Sequence, residues 1–227
     1  MAMDSGSILR FLIAVTKEEQ VMLKIWGRVN SINVMKVLWC AEELGLPYER
    51  VDAGMAFGVV TEDWYGAMNP NRRVPTVDDD GLVLWESNSI VRYLAAKHDT
   101  GGLTPSDPGQ RAVSEKWMDW ELSTPGEDMR RLFWGMIRNA AEFADKELQA
   151  KAVTSLNEKW RVLDVALADR DFVAGDRLTV GDIPIGCMVE RWSKLPIERA
   201  QLPNLRAWHE RLKSRSGYQK FVMLPLT

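Results

Sequence analysis

The feature that most constrains the fold of this chain is an alternation of strand-like and helix-like segments between residue 22 and about residue 98. The run "MLKIWG" predicts a strand that ends at Gly27, and residues 33–45 carry apolar side chains at helical spacing. "YERVDA" predicts a second strand, and "TEDWYGAM" predicts a short helix with Thr61 as its N-cap. "VPTVDDDGLVLWE" predicts two strands around the Asp80–Gly81 turn, and "SNSIVRYLAAKH" predicts a closing helix. The order β-α-β-α-β-β-α therefore predicts a mixed sheet with a right-handed crossover between its first two strands.

A break rich in Gly, Pro and Asp, "HDTGGLTPSDPG", separates this region from a second part that is predicted to be entirely helical. Asp107 can cap the next helix, Pro108 suits its first turn, and Gln110 completes a capping-box pattern. Helical spacing then predicts helices over residues 109–140, 146–169, 180–190 and 204–214. We therefore expect an extension at residues 1–20, an α/β domain at 21–98, a linker at 99–107 and an all-helical domain at 108–227.

The composition narrows the class of protein. With a net charge of -3 and a pI near 5.6, the chain carries no basic surplus for nucleic acid or for anionic membranes. The apolar run "ILRFLIAV" at residues 8–15 is well short of the ~20 residues that span a bilayer, and no signal-peptide cleavage pattern follows it. Two cysteines and two histidines are too few for a disulfide framework or a histidine-rich metal site. We therefore expect a cytoplasmic protein with no metal, no nucleic-acid partner and no membrane association.

Two motifs follow each other in the first domain, "NPNRRVPTV" at residues 69–77 and "LWESNSIVRYLA" at residues 84–95. Together with the β-α-β-α-β-β-α order and the helical second half, they resemble the cytosolic glutathione transferases from residue 22 to about residue 215. The polar residues near position 31 are similar to those of bacterial, theta- or nu-like members with a serine or asparagine active site. The resemblance implies a thioredoxin-like first domain, an all-helical second domain and a homodimer. It also implies glutathione as co-substrate, with no permanently bound cofactor.

The two motifs imply a set of contacts to glutathione. In the family, the proline at the position of Pro75 is cis, and glutathione pairs with the backbone N–H and C=O of the residue at Val74. The residues at Glu86 and Ser87 hold the γ-glutamyl end, and a basic residue at Arg73 lies near the glycine carboxylate. Plainer explanations also exist, because Pro75 can start an edge strand, Ser87 can cap a helix and Glu86 can be a solvated charge. For the arginine that precedes Arg73, a surface role and a binding role are equally compatible with the sequence.

The segment "VNSINVMKV" at residues 29–37 joins the first predicted strand to the first predicted helix. A free thiol has a pKa of ~8.5, so a hydroxyl donor and a helix N-terminus can activate glutathione by stabilising its thiolate. The resemblance puts Ser31 at the position of the thiolate-stabilising hydroxyl and Asn33 at that of an asparagine with a similar role. Asn30 can replace them if the loop is shifted, and Ser31 and Asn33 can also be simple helix caps. No cysteine stands at position 31, which favours conjugation, and we expect Cys40 to fill the core.

Four aromatic side chains of the predicted helix 109–140 suggest a pocket for the second substrate, because this helix would face the first domain. They are Trp117, Trp120, Phe133 and Trp134. We expect them to line a cleft that takes a small apolar electrophile, although the same side chains can simply pack the helical core. A carboxylate of the same helix, Glu115 or Asp119, can approach the ammonium group of glutathione, and the sequence does not choose between them.

Three functions are compatible with these motifs. The first is a glutathione S-transferase, which stabilises the glutathione thiolate for attack on small apolar electrophiles. The second is a glutathione-dependent disulfide or peroxide reductase, or a dehalogenase, which would share the fold and the glutathione site and differ in the electrophile pocket. The third is a non-enzymatic binding protein of the same fold. Because every glutathione motif is intact, the sequence favours the first.

Overall fold

Four short strands form one mixed sheet in the order β2-β1-β3-β4. They are β1 (Leu23–Trp26), β2 (Tyr48–Val51), β3 (Thr76–Asp79) and β4 (Leu82–Trp85). β1 is parallel to β2, while β3 is antiparallel to both β1 and β4. The hairpin between β3 and β4 turns at Asp80 and Gly81, whose φ angles of 56° and 83° match a two-residue turn. The computed structural model describes residues 22–227, so the extension predicted at residues 1–20 lies outside the described residues.

Three helices complete this first part, and they are α1 (Ile32–Glu43), α2 (Asp63–Met68) and α3 (Ser87–His98). The predicted order β-α-β-α-β-β-α is confirmed, and α1 packs against α3 through fully buried apolar side chains. The predicted cap of α2 is wrong, because Glu62 and not Thr61 is its N-cap. The first helical hydrogen bond runs from the Gly66 N–H to the Glu62 carbonyl at 3.0 Å, so the helix starts one residue later than predicted.

The register of the strands determines what lies beyond their ends. Trp26 at the end of β1 pairs with Thr76 at the start of β3, and Thr76 pairs with Trp85 at the end of β4. Because β1 and β4 are both antiparallel to β3, they run parallel to each other and end at the same side of the sheet. α1 follows β1, α3 follows β4 and Val74 precedes β3, so both helix N-termini and Val74 lie beyond this row. We name this side of the sheet the Trp26–Trp85 edge.

The second part of the described chain is helical. Its helices are α4 (Pro108–Ser123), α5 (Gly126–Leu132), α6 (Lys146–Ala166), α7 (Asp182–Ser193), α8 (Pro203–Lys213) and α9 (Ser216–Phe221). A π-helical turn, Phe133–Ile137, continues α5. The prediction of one helix over residues 109–140 is wrong, because Pro125 has no N–H for the carbonyl four residues earlier and its ring interrupts the helix. The sequence reasoning missed α9, whose six residues are too few for a periodic signal.

Four tryptophans form a continuous stack through the helical core. The ring centroids of Trp117 and Trp120 on α4 are 5.3 Å apart, and those of Trp120 and Trp160 on α6 are 5.9 Å apart. Trp192 on α7 extends the stack, with its centroid 5.8 Å from that of Trp160. Edge-to-face and tilted pairs at these distances are the arrangements that aromatic rings prefer. The stack therefore ties three helices together.

A buried ion pair joins the sheet part to the helical part. The Nζ atom of Lys36 on α1 donates to both carboxylate oxygens of Glu121 on α4, each at 3.1 Å. Their side chains are only 1% and 3% exposed, so neither charge is solvated. Because each charge compensates the other in a region that excludes water, the pair constrains how α1 sits against α4.

Replacing one partner of this pair is expected to leave the other charge buried and uncompensated. The Lys36→Met substitution should lower the free energy of unfolding by about 3–5 kcal/mol, whereas Lys36→Met with Glu121→Met should recover most of that loss. Chemical denaturation followed by circular dichroism measures both values.

The exposed pair of Lys24 and Glu49, 3.5 Å apart with side chains 40% and 50% exposed, provides the matched control. Lys24→Met should change the free energy of unfolding by no more than about 1 kcal/mol, because water and salt screen this pair. Equal losses for Lys36→Met and Lys24→Met would contradict the role given to the buried pair.

Candidate active site

A cavity of about 750 Å³ lies where the two parts of the described chain meet. Its first wall comes from the connection between β1 and α1, the first turn of α1, and residues 72–74 just ahead of β3. Its second wall comes from α4, α5, the π-helical turn and one face of α7. The cavity therefore opens beside the Trp26–Trp85 edge, and both domains contribute to it.

Ser31 is the N-cap residue of α1, with φ of -84° and ψ of 124°. Its carbonyl accepts the first helical hydrogen bond from Met35 N–H at 2.9 Å. Its hydroxyl makes no capping hydrogen bond, although the side chain is 7% exposed and lines the cavity. The sequence therefore selected the correct cap position, but the hydroxyl is left without a partner among residues 22–227. A free O–H group stands at the positive end of a twelve-residue helix.

The two neighbouring asparagines differ in their contacts. Asn33 is exposed in the first turn of α1, lines the cavity and makes no side-chain hydrogen bond within the described part of the chain. Asn30 also lines the cavity, but its Nδ2 atom donates to the Thr227 hydroxyl at 2.6 Å. Of the residues that the sequence left open, Ser31 and Asn33 are therefore the two with uncommitted donors.

The residues just before β3 offer an unused backbone edge. The Val74–Pro75 peptide bond is cis, as the resemblance implies, and Val74 and Arg73 line the cavity. No hydrogen bond within residues 22–227 uses the Val74 N–H or C=O. Arg73 is exposed and forms no ion pair within the same residues, so its charge is available at the cavity. An extended peptide backbone could pair with Val74 as a further strand.

Two residues that the sequence reasoning missed hold this segment in place. The hydroxyl of Tyr65 and the Nδ2 atom of Asn69 both donate to the Arg73 carbonyl, at 2.7 and 2.9 Å. Both also contact the Thr76 hydroxyl, at 2.8 and 2.9 Å. Asn69 further accepts from Asn71 N–H at 3.0 Å, and this local turn was the available signal in the "NPN" of the first motif.

Arg72 has a structural task. Its Nη1 atom donates to the carbonyl groups of Val60, Thr61 and Glu62, at 3.2, 2.6 and 3.0 Å. Its own backbone has a φ of 51°, in the left-handed region. Arg72 therefore closes the loop ahead of α2, and it also lines the cavity.

Glu86 and Ser87 lie at the same edge of the sheet but do not line the cavity. Glu86 is exposed and has a φ of 71°, a conformation that costs a non-glycine residue about 1 kcal/mol or more. Ser87 is the first residue of α3, is 5% exposed and makes no side-chain hydrogen bond within the described chain. Glu86 takes the N-cap position predicted for Ser87, and its side chain makes no capping bond.

The aromatic residues predicted for an electrophile pocket divide into two pairs. Phe133 and Trp134, in the π-helical turn, line the cavity. Trp117 and Trp120 do not line it, because they belong to the tryptophan stack of the helical core. The expectation that these two contact a second substrate is thus corrected by their packing.

The geometry of the π-helical turn depends on Gly135. A Cβ atom at this position would lie 2.5 Å from the Phe143 carbonyl, so the turn can approach that backbone only as glycine. The approach leaves Phe133 and Trp134 facing the cavity.

Three other cavity residues, Arg28, Arg138 and Arg191, were missed at the sequence level. They come from three distant segments, and nothing in the local pattern around each one marks it.

The two carboxylates suggested for the ammonium group of glutathione already have a partner. Glu115 and Asp119 both pair with Arg92, at 3.7 and 2.5 Å.

Neither metal ligands nor reactive thiols were found in the described chain. Residues 22–227 contain no group of three or more His, Cys, Asp or Glu side chains that could hold a metal ion. Cys40 is fully buried, as predicted, and burial raises the pKa of its thiol far above the usual range. Burial also raises the pKa of the Cys187 thiol, to about 12. No helix in this part of the chain is long and apolar enough to cross a membrane.

The N-terminal domain of the glutathione S-transferases matches residues 21–96, and the C-terminal domain of that family matches residues 129–216. The chain belongs to the glutathione S-transferase family. Its thioredoxin-like N-terminal domain and helical C-terminal domain are those of the family, which confirms the predicted fold class and the assignment to the transferases.

Several relatives of this glutathione S-transferase align over most of their length. Glutathione S-transferase GstB of Escherichia coli K12 is 39% identical over 208 residues, which cover 91% of this chain and 100% of that protein. The theta class enzyme of Xanthomonas axonopodis pv. citri, solved with glutathione bound, is 46% identical with a TM-score of 0.86. That alignment covers 92% of this chain and 100% of the other. Bombyx mori glutathione transferase BmGSTD1 is 26% identical with a TM-score of 0.80, over 89% of this chain and 93% of that one.

Glutathione is the co-substrate of these glutathione S-transferases, and the Xanthomonas relative was solved with it bound. For this chain, the homodimer and the compartment stay predictions.

Both thiols of this transferase are expected to be inert in the folded protein, because a buried thiol with a raised pKa forms little thiolate. The native protein should release almost no chromophore from a disulfide reagent such as dithiobis(nitrobenzoate). The guanidinium-unfolded protein should release two equivalents, which is its full cysteine content. A rapid first equivalent from the native protein would contradict this expectation.

Proposed function

We propose that the protein joins glutathione through its sulfur to a small electrophile, with the Ser31 hydroxyl stabilising the glutathione thiolate. The observation that carries the proposal is the uncommitted Ser31 hydroxyl at the N-terminus of α1, inside the cavity. This donor and the helix dipole are fixed before the substrate arrives, so they stabilise sulfur negative charge without reorganisation. Asn33, in the first turn of the same helix, supplies a second donor at the thiolate.

In this proposal, glutathione lies along the Trp26–Trp85 edge. Its cysteinyl backbone pairs with the free N–H and C=O of Val74, beside the cis bond to Pro75. Its glycine carboxylate meets the unpaired charge of Arg73. Its γ-glutamyl carboxylate meets the hydroxyl and backbone N–H groups of Ser87 at the start of α3, with Glu86 near the ammonium group.

The chemical step is a displacement or an addition by the thiolate. The thiol proton leaves to solvent and the sulfur forms a bond to the electrophilic carbon. In a displacement, a leaving group departs with its electron pair; in an addition, the π bond breaks and its electron pair takes a proton from solvent. Phe133 and Trp134 offer an apolar surface for the body of the electrophile. The glutathione bound to the Xanthomonas relative supports the choice of co-substrate.

A reductase that works through a mixed disulfide on the enzyme is the second candidate, and the cysteines argue against it. Cys40 and Cys187, the only cysteines of the chain, are buried with raised thiol pKa values. A dehalogenase that displaces halide by glutathione would use the same thiolate and the same edge. A binding protein without turnover would have no need for the Ser31 hydroxyl.

The Ser31→Ala substitution tests the proposal. It should raise the pKa of the bound glutathione thiol by about 1–2 units, because one hydrogen bond to a charged group is worth about 1.5–3 kcal/mol. Conjugation of a reactive aryl halide should slow by roughly 10- to 100-fold at neutral pH, with glutathione affinity nearly unchanged. An ultraviolet difference spectrum of the thiolate against pH gives the first value, and steady-state kinetics give the second.

Ser216→Ala is the matched control, because Ser216 is an exposed serine at the start of α9 and does not line the cavity. It should leave both the thiol pKa and the rate unchanged. If Ser31→Ala kept full activity while Asn33→Ala abolished it, the thiolate donor would be Asn33 and this assignment would fail. If the wild-type protein bound glutathione without lowering its thiol pKa, the binding-protein alternative would replace the enzyme.

A further inference from the structure

The balance of charge around the cavity is uneven. Three carboxylates line it within the described chain, and all of them are paired: Glu121 with Lys36, Glu127 with Arg130 and Arg131, and Glu142 with Arg130. Two lining arginines are also committed, since Arg72 binds loop carbonyls and Arg130 binds carboxylates. If Arg73 serves glutathione, three lining guanidinium groups are still unassigned.

These three groups belong to Arg28, Arg138 and Arg191, and no carboxylate lies within ion-pair distance of any of them in residues 22–227. The Nε atoms of Arg28 and Arg138 are buried and have no hydrogen-bond partner in the same residues. A buried guanidinium donor without a partner is costly, so an unpaired cluster of this kind is poised for an acceptor.

The three side chains lie close to one another, around the Phe133 ring and the Gly54–Met55 segment. The Arg191 guanidinium carbon lies 3.8 Å from the centroid of the Phe133 ring, and that of Arg138 lies 5.5 Å from it. The Nη1 atom of Arg138 lies 3.8 Å from the Met55 sulfur. Arg28 lies beside Gly54, the residue before Met55. A Cβ atom added to Gly54 would lie 3.2 Å from the Nη1 atom of Arg28.

The electrostatics agree with this convergence. Burial lowers the pKa of Arg28, and the positive charge of Arg138 lowers it further. Burial also lowers the pKa of Arg191 to about 10, and the charges of Arg138 and Arg28 act in the same direction. Guanidinium groups carry like charges, so the three side chains repel one another until an anion compensates them.

The position of the cluster favours the second substrate over glutathione itself. Arg28 comes three residues before Ser31, and its carbonyl accepts the Ser31 N–H at 3.2 Å. Arg138 directly follows the π-helical turn that carries Phe133, and the Arg191 guanidinium lies against the Phe133 ring. The carboxylates of glutathione are assigned above to Arg73 and Ser87, so the cluster is left for an anion of the second substrate, whose proposed apolar contact is Phe133.

We propose that Arg28, Arg138 and Arg191 bind an anionic group, a carboxylate or a sulfonate, on the second substrate, whose apolar body packs against Phe133 and Trp134. A planar guanidinium matches a carboxylate through two parallel hydrogen bonds, which gives direction as well as charge. This inference rests on the proposed function for the identity of the ligand as a second substrate. With this inference, the expected electrophile is no longer a purely apolar molecule but one with an apolar body and one anionic group.

A pair of unreactive ligands tests the site without any turnover. With glutathione saturating, 3,5-dinitrobenzoate should bind the wild-type protein roughly 10- to 100-fold more tightly than 3,5-dinitrobenzamide, as expected for hydrogen bonds to a charged acceptor. Isothermal titration calorimetry measures both dissociation constants. Equal affinities for the acid and the amide would overturn the proposal, whether or not the protein is an enzyme.

Variants identify the arginines. Arg138→Gln and, separately, Arg28→Gln should each reduce the preference for the acid over the amide by at least about tenfold. Arg130→Gln is the matched control, because Arg130 lines the same cavity but pairs with Glu127 and Glu142, and it should keep the preference. If Arg138→Gln and Arg28→Gln weakened glutathione binding and left the preference intact, the cluster would hold a glutathione carboxylate, and the proposal would be wrong.

The reactive counterparts separate this inference from the proposed function. In 4-chloro-3,5-dinitrobenzoate, the glutathione sulfur bonds to the carbon that carries chlorine, chloride leaves with the bonding electrons, and the thiol proton goes to solvent. Relative to the uncatalysed rates, kcat/KM for the acid should exceed that for its amide. No turnover of either compound, with selective binding of the acid, would remove the enzyme function and keep the anion site. Turnover of both compounds with no preference for the acid would keep the enzyme function and remove the anion site.

Discussion

The arrangement of the whole site depends on the buried ion pair between Lys36 and Glu121. α1 presents Ser31 and Asn33 at its N-terminus, while α4 leads through α5 to the π-helical turn with Phe133. The pair couples these two helices where water is excluded. A buried charge that loses its partner is costly, so movements that separate Lys36 from Glu121 are disfavoured. The distance between the two walls of the cavity therefore depends on an electrostatic contact between the helices, one member of which, Glu121, itself lines the cavity.

The sheet contributes a second constraint, its register. One row of paired residues, Trp26, Thr76 and Trp85, aligns the ends of two strands with the beginning of a third. Three elements that the proposal assigns to glutathione follow this row: the N-terminus of α1, the backbone of Val74 and the N-terminus of α3. Because side chains alternate in a strand, a shift of one residue in β3 would turn Thr76 away from Tyr65 and Asn69 and release the Arg73 carbonyl.

Sequence reasoning succeeded where the signal was local. The N-cap position of Ser31, the Asp80–Gly81 turn and the cis Val74–Pro75 bond each depend on a few adjacent residues, with the family pattern to locate them. It failed where the answer depends on packing over long range. Trp117 and Trp120 are residues of the kind that line apolar pockets. In the structure they pack in the core, in a stack with Trp160 and Trp192, which are distant in the chain.

The arginine cluster was also missed because it depends on packing between segments that are distant in the chain. Arg28, Arg138 and Arg191 are separated by more than 50 residues each, and their charges meet only after the helical part docks on the sheet part. Helix boundaries show the intermediate case. Pro125 was visible in the sequence, but the apolar spacing on either side of it predicted an uninterrupted helix.

The π-helical turn Phe133–Ile137 has a consequence for how this site can diversify. Its Arg138 N–H bonds to the Phe133 carbonyl five residues back, at 3.2 Å, so the turn holds one residue more than an α-helical turn would. Deleting a single residue here would restore α-helical bonding and rotate the following side chain by about 100° around the axis. Arg138 would then leave the cavity while Ser31, carried by the other domain, would not move. A lineage could in this way exchange one class of electrophile for another through a change in chain length alone, with the sulfur chemistry untouched.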